Sequence, residues 1–304
     1  MLARLGFVAS VLSEGITTSR ACRLSNATGD RLRALIAENL AALERALAFL
    51  ERHHIRLYRI TSNLIPFASH PVNTIAWWDE FGPALRRLGT RIRDLGLRVS
   101  THPGQYTVLN SPHEPIVRNA IAELVYHARL LDALGTDATS KIVVHTGGLY
   151  GGSKPDALDR FCGNARALPD AVLRRLVIEN DDRLFDADEV VRAARALGIP
   201  VVFDWLHHLA NPCRRAIGDV LPEIFDTWTA ADGRPKVHLS SQAAGGRPGA
   251  HAGFVAAADL LALLQVAPDD PFDCMLEAKE KDRALIRLRA ELAPLGLREL
   301  DLEA

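Results

Sequence analysis

Apolar residues along this chain alternate between two periods. Short apolar runs of strand length at 4–10, 55–62, 97–102, 141–146, 174–180, 199–205, 235–241 and 271–279 are each followed by a longer stretch with apolar positions three and four apart. Those stretches predict helices over 30–53, 78–95, 114–134, 154–167, 186–197, 214–229, 256–265 and 281–294. Gly96, Gly135, Gly198 with Pro200, and Pro235 mark returns into strand, where helices are expected to stop. Eight strand-then-helix units, each reaching a parallel neighbour through a helix, close naturally into a (β/α)8 barrel. The expectation is one α/β barrel domain over 1–304, with a frayed tail from about residue 295.

The ends of these runs carry the chemistry. His102, His145, Glu179, Asp204, His238 and Glu277 each stand at or near the C-terminal end of an apolar run, with His207 three residues past Asp204 and His251 in the loop after the seventh run. Strands far apart in sequence point their last residues at one centre only on the C-terminal face of a parallel barrel. Five imidazoles and three carboxylates exceed the needs of a single tetrahedral zinc ion and suffice for two or three divalent ions with bridging carboxylates. Glu179, ending LVIE, is the best bridging candidate because its two oxygens can serve two ions. Mixed nitrogen and oxygen donors favour Mn²⁺, Zn²⁺ or Fe²⁺ over Mg²⁺ or Ca²⁺, and of these Mn²⁺ is the expected ion, with Zn²⁺ or Fe²⁺ as alternatives. Such clusters bind hydroxide at neutral pH and clamp both oxygens of an in-line phosphoryl displacement, so phosphodiester hydrolysis is the first reaction to consider. A single histidine is more often a satisfied polar residue than a ligand; eight candidates at barrel strand ends reverse that weighting. His53, His54, His113, His127 and His208 are assigned to surface or packing.

Composition narrows the partners. With 304 residues and 48% hydrophobic content the chain can build one large core, and a net charge of −1 gives no bulk attraction to a polyanion. A nucleic acid would have to be held by a local basic patch or by metal ions. The four cysteines show no CxxC pair, which suits a reducing compartment. The opening MLARLGFVASVLSEG is interrupted by Glu14 and makes a good first strand, and no apolar run is long enough to cross a membrane, so a cytoplasmic protein is expected. Two long connections, 62–77 and 241–254, fall on the C-terminal face, where barrel enzymes build their substrate sites.

The motifs THPGQY, VHTGG, ENDDRL, DWLHH, KVHLSSQ, RPGAHA and LEAKEKD, with RLGF at the start and FASHP at 67–71, closely resemble the UV damage endonuclease family, UvdE. The resemblance runs from about residue 4 to 283 and implies an endonuclease IV-like TIM barrel with a trinuclear metal centre that nicks DNA immediately 5′ to ultraviolet photoproducts. It implies the eight ligands named above, with Glu179, Lys236 and Glu277 as the catalytic set. Lys236 corresponds to a lysine carboxylated in some members, the alternative being an ordinary lysine at a strand end. Gln105 and Tyr106 fall where the family inserts a polar and an aromatic side chain into the duplex. A Gln can bond orphaned bases and a Tyr ring can replace lost stacking. Phe7 stands where members carry a lesion-facing Tyr, and Val11 where some carry Asn. His70 of FASHP is a secondary site residue, and Asn180, with Asp181 and Asp182, is placed to orient the ligands. The implied partner is double-stranded DNA bearing photoproducts, bound by a monomer without a membrane.

Two other functions fit parts of the pattern. A metal-dependent sugar isomerase or epimerase of the same barrel type would use Glu, Asp, His and Lys for proton or hydride shifts on a small polyol. A non-catalytic damaged-DNA binder would not need eight metal-binding residues at strand ends.

Overall fold

In the computed structural model, which describes residues 1–302, the eight apolar runs form eight parallel strands. They are β1 (Leu2–Val8), β2 (Leu57–Arg59), β3 (Arg98–Thr101), β4 (Lys141–His145), β5 (Leu176–Glu179), β6 (Val201–Asp204), β7 (Lys236–Leu239) and β8 (Phe272–Leu276). Each pairs with the next in sequence, and β8 pairs back to β1, so the sheet closes into a (β/α)8 barrel.

The covering helices are α1 (Gly29–Arg52), α2 (Trp77–Glu80), α3 (Gly82–Asp94), α4 (Glu114–Ala133), α5 (Lys154–Arg166), α6 (Asp170–Leu173), α7 (Ala187–Leu197), α8 (Trp205–Ala210), α9 (Ile217–Phe225), α10 (Ala257–Val266) and α11 (Lys281–Leu292). The helix expected over 78–95 is divided into α2 and α3, because Gly82-Pro83 starts a new helix whose second residue lacks an N–H that the first turn does not need. The stretch 214–229 shortens to α9, and α6 and α8 were not legible as helices. α1 shows why its sequence is helical: Leu32, Leu35, Ile36, Leu40, Leu43, Leu47 and Leu50 fall on one buried stripe, and Thr28 caps the start by accepting from Arg31 N–H.

Strand parity decides what faces the site. Outward residues such as Phe7, Tyr58, Ile142, Ile178, Phe203 and Leu276 join the core beneath the helices, while Val8, Leu57 and Met275, and Val143, Val177 and Val202 with Trp228, form smaller separate clusters. Two residues further along these strands, the same inward parity gives Arg59, His145, Glu179, Asp204 and Glu277. Phe7 therefore does not face the lesion side. Its ring is fully buried and packs edge-on to Phe49 at 6.2 Å and to Tyr58 at 5.4 Å, and Val11 is buried in a bridge to Ile16.

At the floor, inward charges are paired: Arg98 with Asp273 at 2.8 Å, Lys141 with Asp232 at 2.5 Å and Arg175 with Asp132 at 2.7 Å. Arg98 also lies over the Trp228 ring at 5.2 Å. The expected frayed tail is anchored here instead. Glu299 accepts from Leu5 N–H at 2.5 Å and pairs with Arg289, and Asp301 pairs with Arg4 at 2.5 Å and Arg234 at 2.8 Å. Residues 303–304 lie outside the described part.

Candidate metal centre

Three groups of side chains at the barrel mouth bring ligand atoms within 4.8 Å of one another: His102, His145 and Glu179; Glu179, His238 and Glu277; and Glu179, Asp204 and His207. Glu179 belongs to all three. Its Oε2 faces His102 Nε2 at 3.1 Å and His145 Nε2 at 3.6 Å, while its Oε1 faces His238 Nδ1 at 2.7 Å and His207 Nδ1 at 3.7 Å. A carboxylate whose two oxygens serve opposite imidazole pairs has the geometry to bridge two ions. His251 is outside the three groups but borders them, its Nδ1 lying 3.8 Å from Glu277 Oε2.

Backbone contacts aim the rings. Nδ1 of His102 lies 3.1 Å from Pro103 O, that of His207 3.0 Å from Asn180 O, and that of His251 2.7 Å from Glu277 O. A carbonyl can only accept, so each Nδ1 carries a proton and each Nε2 is the nitrogen available to an ion. Asn180 adds a clamp between strands: its amide donates to Asp204 O at 3.0 Å and its Oδ1 accepts from Asp204 N–H at 2.8 Å. Asp204 then caps α8 by accepting from His207 N–H at 2.7 Å, which fixes the two candidate ligands to one turn.

The loop carrying His251 is pinned to itself and to the β5 end. Gln242 bridges to His251, Ala243 N–H donates to Ala250 O at 2.7 Å, and Arg247 pairs with Asp182 at 2.5 Å. Gly249, at φ +78°, lies where a Cβ would come within 2.5 Å of the Asp182 carboxylate, so only glycine lets the loop close onto that residue.

The electrostatics are those of a site short of cations. Burial raises the Glu179 carboxyl well above its ordinary range, and the neighbouring Glu277 and Asp204 push it further. Asp204 is raised by burial and by Glu277, against the pull of His207. Burial disfavours the His207 imidazolium, yet Asp204, Glu179 and Glu277 outweigh it and lift the ring to about 9. Burial first, then Arg59, lowers His102 to about 4, and burial with His102 and His207 lowers His145 to about 3. Asp204 Oδ2, Glu277 Oε1 and His145 Nδ1 are buried without a hydrogen-bond partner among the described residues. Crowded carboxylates and orphaned donor atoms of this kind fit divalent ions.

Lys236 is not an ordinary lysine at a strand end. It starts β7 two residues before His238, is fully buried, and its Nζ has no partner among the described residues. Burial drives its amine well below the usual range, and Arg98, Arg59 and Lys141 push in the same direction against Asp273.

One central residue was not among the sequence candidates. Arg59, at the end of β2, places Nη1 2.5 Å from Glu277 Oε1 and Nη2 2.7 Å from His238 Nε2. Its position was legible in principle, since it ends an inward-facing strand as the ligands end theirs. Arginine at a strand end reads as a solvated charge unless the partners across the barrel are known.

Around the centre, a cavity of about 660 Å³ is lined by Gln105, His145, His207, His251 and Glu277 together with Arg183, Arg247, Lys279 and Lys281. Tyr106 is 68% exposed, with its ring folded over Gly104, a position that leaves no room for a Cβ. His70 is exposed on the β2–α2 loop, accepts from Val72 N–H, and is not among the grouped ligands. His127 and His208 are buried packing residues; His127 pairs with Glu123 at 3.3 Å and His208 stacks near Phe203 and Trp205. All four cysteines are free thiols, and among the described residues no helix is long and apolar enough to cross a membrane.

A closed parallel (β/α)8 barrel defines a fold class shared by proteins of several activities. The crystal structure of endonuclease IV from Thermus thermophilus superposes with a TM-score of 0.58 at 18% identity, covering 96% of this chain and 99% of that one. The structure of L-ribulose 3-epimerase does so at 0.56 and 20%, covering 95% and 86%. At these identities the likeness is one of fold. Matches at higher identity decide the family. The UV-endonuclease UvdE family model matches residues 3–300. A UV DNA damage endonuclease of Bacillus velezensis is 37% identical over 99% of this chain and 97% of its own, and one of Bacillus cereus is 37% identical over 88% and 84%. The crystal structure of SacUVDE superposes with a TM-score of 0.90 at 36% identity, covering 97% and 99%. The chain belongs to the UvdE family of DNA repair endonucleases.

Proposed function

We propose that this protein is a metal-dependent hydrolase that cuts the phosphodiester backbone immediately 5′ to ultraviolet photoproducts in double-stranded DNA, leaving 3′-hydroxyl and 5′-phosphate ends. The observation that carries the metal dependence is Glu179, a wholly buried carboxylate shared by three ligand groups and raised by its acidic neighbours. His102, His145, Glu179, Asp204, His207, His238, His251 and Glu277 would hold two or three ions, Mn²⁺ first, with Zn²⁺ or Fe²⁺ as alternatives. Bound ions would supply Lewis acidity and a hydroxide at neutral pH.

The chain's own residues do the rest. Asn180 and the carbonyls of Pro103, Asn180 and Glu277 hold the ligand rings in one tautomer, so little reorganisation accompanies loading. Burial, then Arg98 and Arg59, push Lys236 toward the neutral amine, the form that adds CO₂ to give a carbamate and a proton; the resulting anion would suit a centre holding divalent cations. Arg183, Arg247, Lys279 and Lys281 around the cavity give a protein of nearly zero net charge a local hold on the phosphate backbone. Gln105 and Tyr106 project from the turn after His102 as the lesion probe. A damaged dinucleotide is weakly stacked and costs less to wedge apart than sound DNA. Phe7, enclosed in the core, has no part in this. The protein is read as a cytoplasmic monomer.

The test is nicking of a supercoiled, ultraviolet-irradiated plasmid in the presence of Mn²⁺. Relaxation of irradiated but not undamaged plasmid, abolished by EDTA, is expected. Equal cutting of both plasmids, or cutting that survives EDTA, would contradict the reading.

A further inference from the structure

Two neighbouring strands end in a candidate ligand that is followed by glycine and then by an exposed tyrosine. After β3 come His102, Gly104 and Tyr106, and after β4 come His145, Gly147 with Gly148, and Tyr150. The two rings sit alike. Tyr106 folds over Gly104, and Tyr150, 43% exposed, lies over Gly148, where a Cβ would come within 3.4 Å of its Cε2. Only Tyr106 has a part in the reading above.

The backbone beneath Tyr150 does not suit a tyrosine. Gly152 N–H donates to Leu149 O at 3.0 Å and closes a tight turn whose central residues, Tyr150 at φ +54° and Gly151 at φ +77°, are both left-handed. Positive φ at both places is the type I′ form, whose first central position favours Asn, Asp or Gly. A Cβ is strained there, and an aromatic ring left in solvent gains no burial in return. Leu149, one residue earlier, already packs this turn against the core. Among the described residues, four of the five non-glycine positions with positive φ, Ala9, Phe67, Tyr150 and Lys281, lie just past strands at the barrel mouth. Strain kept there against local preference points to a contact made outside the fold.

The loop under the ring is fixed to the loop that carries Gln105 and Tyr106. Buried Asn110 donates from Nδ2 to Gly148 O at 2.8 Å, and Gly147 leaves no room for a Cβ beside the Asn110 side chain. Arg160 of α5 joins both loops, donating to Asn110 O at 2.9 Å and to Leu149 O at 3.3 Å. Gly147 and Gln105 line the same cavity. A free ring on a fixed base can bind with little further ordering, and its uncharged face suits another flat ring. Where a damaged duplex is opened, the flat rings on offer are bases taken out of the stack.

We propose that Tyr150 is a second nucleotide-binding aromatic, stacking on a base that Gln105 and Tyr106 displace at the lesion. The proposal rests on the damaged-DNA reading above and adds a contact from the next strand of the barrel.

The test uses the metal-loaded full chain and a duplex with one photoproduct, made uncleavable by a methylphosphonate at the bond 5′ to the lesion, beside the undamaged duplex of the same sequence. Tyr150→Asn suits the turn and removes the ring. Its melting temperature should equal or exceed that of wild type and its metal content should match. By anisotropy, its Kd for the damaged duplex should rise about tenfold or more, and that for the undamaged duplex should stay within about twofold. Tyr150→Phe keeps the ring and should bind the damaged duplex within about twofold of wild type. Damaged-duplex binding unchanged in Tyr150→Asn overturns the proposal, as does an equal loss on both duplexes, which would put the ring on the sugar–phosphate backbone. A lower melting temperature in Tyr150→Asn would make the ring structural and overturn it too. Wild type that binds both duplexes equally removes the damaged-DNA reading and this proposal together, whereas a preference that survives Tyr150→Asn removes this proposal alone.

Discussion

The floor and the mouth of this barrel both carry buried charge, and they treat it in opposite ways. At the floor three cations each meet a carboxylate, Arg98 with Asp273, Lys141 with Asp232 and Arg175 with Asp132, and only Lys236 beside them has no partner among the described residues. At the mouth Glu179, Asp204 and Glu277 crowd together, orphaned oxygens remain, and the one guanidinium present must cover two residues. Paired charge is structure. Charge left crowded and under-compensated inside a closed barrel has the chemistry to hold cations, and it persists because the surrounding sheet over-determines it.

The largest effect is expected from Glu179→Gln. If the mouth is built for ions at the expense of stability, this variant should lose nicking altogether and melt no lower than wild type in EDTA, because a carboxyl forced into burial has been replaced by a neutral group. At the floor the sign reverses. Arg98→Met leaves the buried Asp273 with only the longer contact to Arg4 at 3.9 Å and should cost about 3 kcal/mol of stability in denaturant unfolding, while the folded fraction keeps its metal and its nicking. Equal effects of the two substitutions on stability would erase the distinction.

Within the mouth the expected effects are smaller. Asn180→Ala removes the clamp on Asp204 and should weaken Mn²⁺ binding or nicking by about 10–100-fold, read by titration at constant melting temperature. Tyr106→Ala, with metal content unchanged, should cost about 1–3 kcal/mol in binding irradiated duplex, measured by anisotropy with Gln105→Ala beside it; wild-type binding by the double mutant would show that this loop is not the lesion probe. The smallest effect is in pH. His207, raised to about 9 by Asp204, Glu179 and Glu277 against burial, must release its Nε2 proton to take an ion, so Mn²⁺ affinity should rise about tenfold or more per pH unit from neutrality toward 9 and level off above it. In the ion-free protein the same raised value adds stability that is fully present below about 6.5 and is lost as pH rises through 9. His102, lowered to about 4, works the other way: its contribution is present above 6.5 and lost as pH falls toward 4.

Much of this was readable in the sequence, for a reason that also accounts for the failures. The barrel was legible because strand and helix periods alternate without interruption. The ligand candidates were legible because a strand-terminal His or carboxylate, repeated in successive units, has little purpose except to meet its counterparts at the barrel mouth. Phe7 was misplaced because a strand apolar on both faces hides its parity: Gly6 and Val8 point inward, so Phe7 must point out. The C-terminal residues read as frayed because their partners, Leu5, Arg4 and Arg234, lie hundreds or tens of residues away in sequence. Arg59 escaped for the same reason, its meaning coming from Glu277 and His238 on the far side of the sheet. Local pattern gives elements and parity gives facing, but which charges meet across a closed barrel is set by closure itself.

Whether the crowded carboxylates at the mouth hold metal is decided by elemental analysis of purified protein that actively nicks irradiated plasmid. Two to three equivalents of Mn, Zn or Fe per chain, falling in Glu179→Gln, is the expected result; fully active protein with less than one equivalent of any transition metal would contradict it.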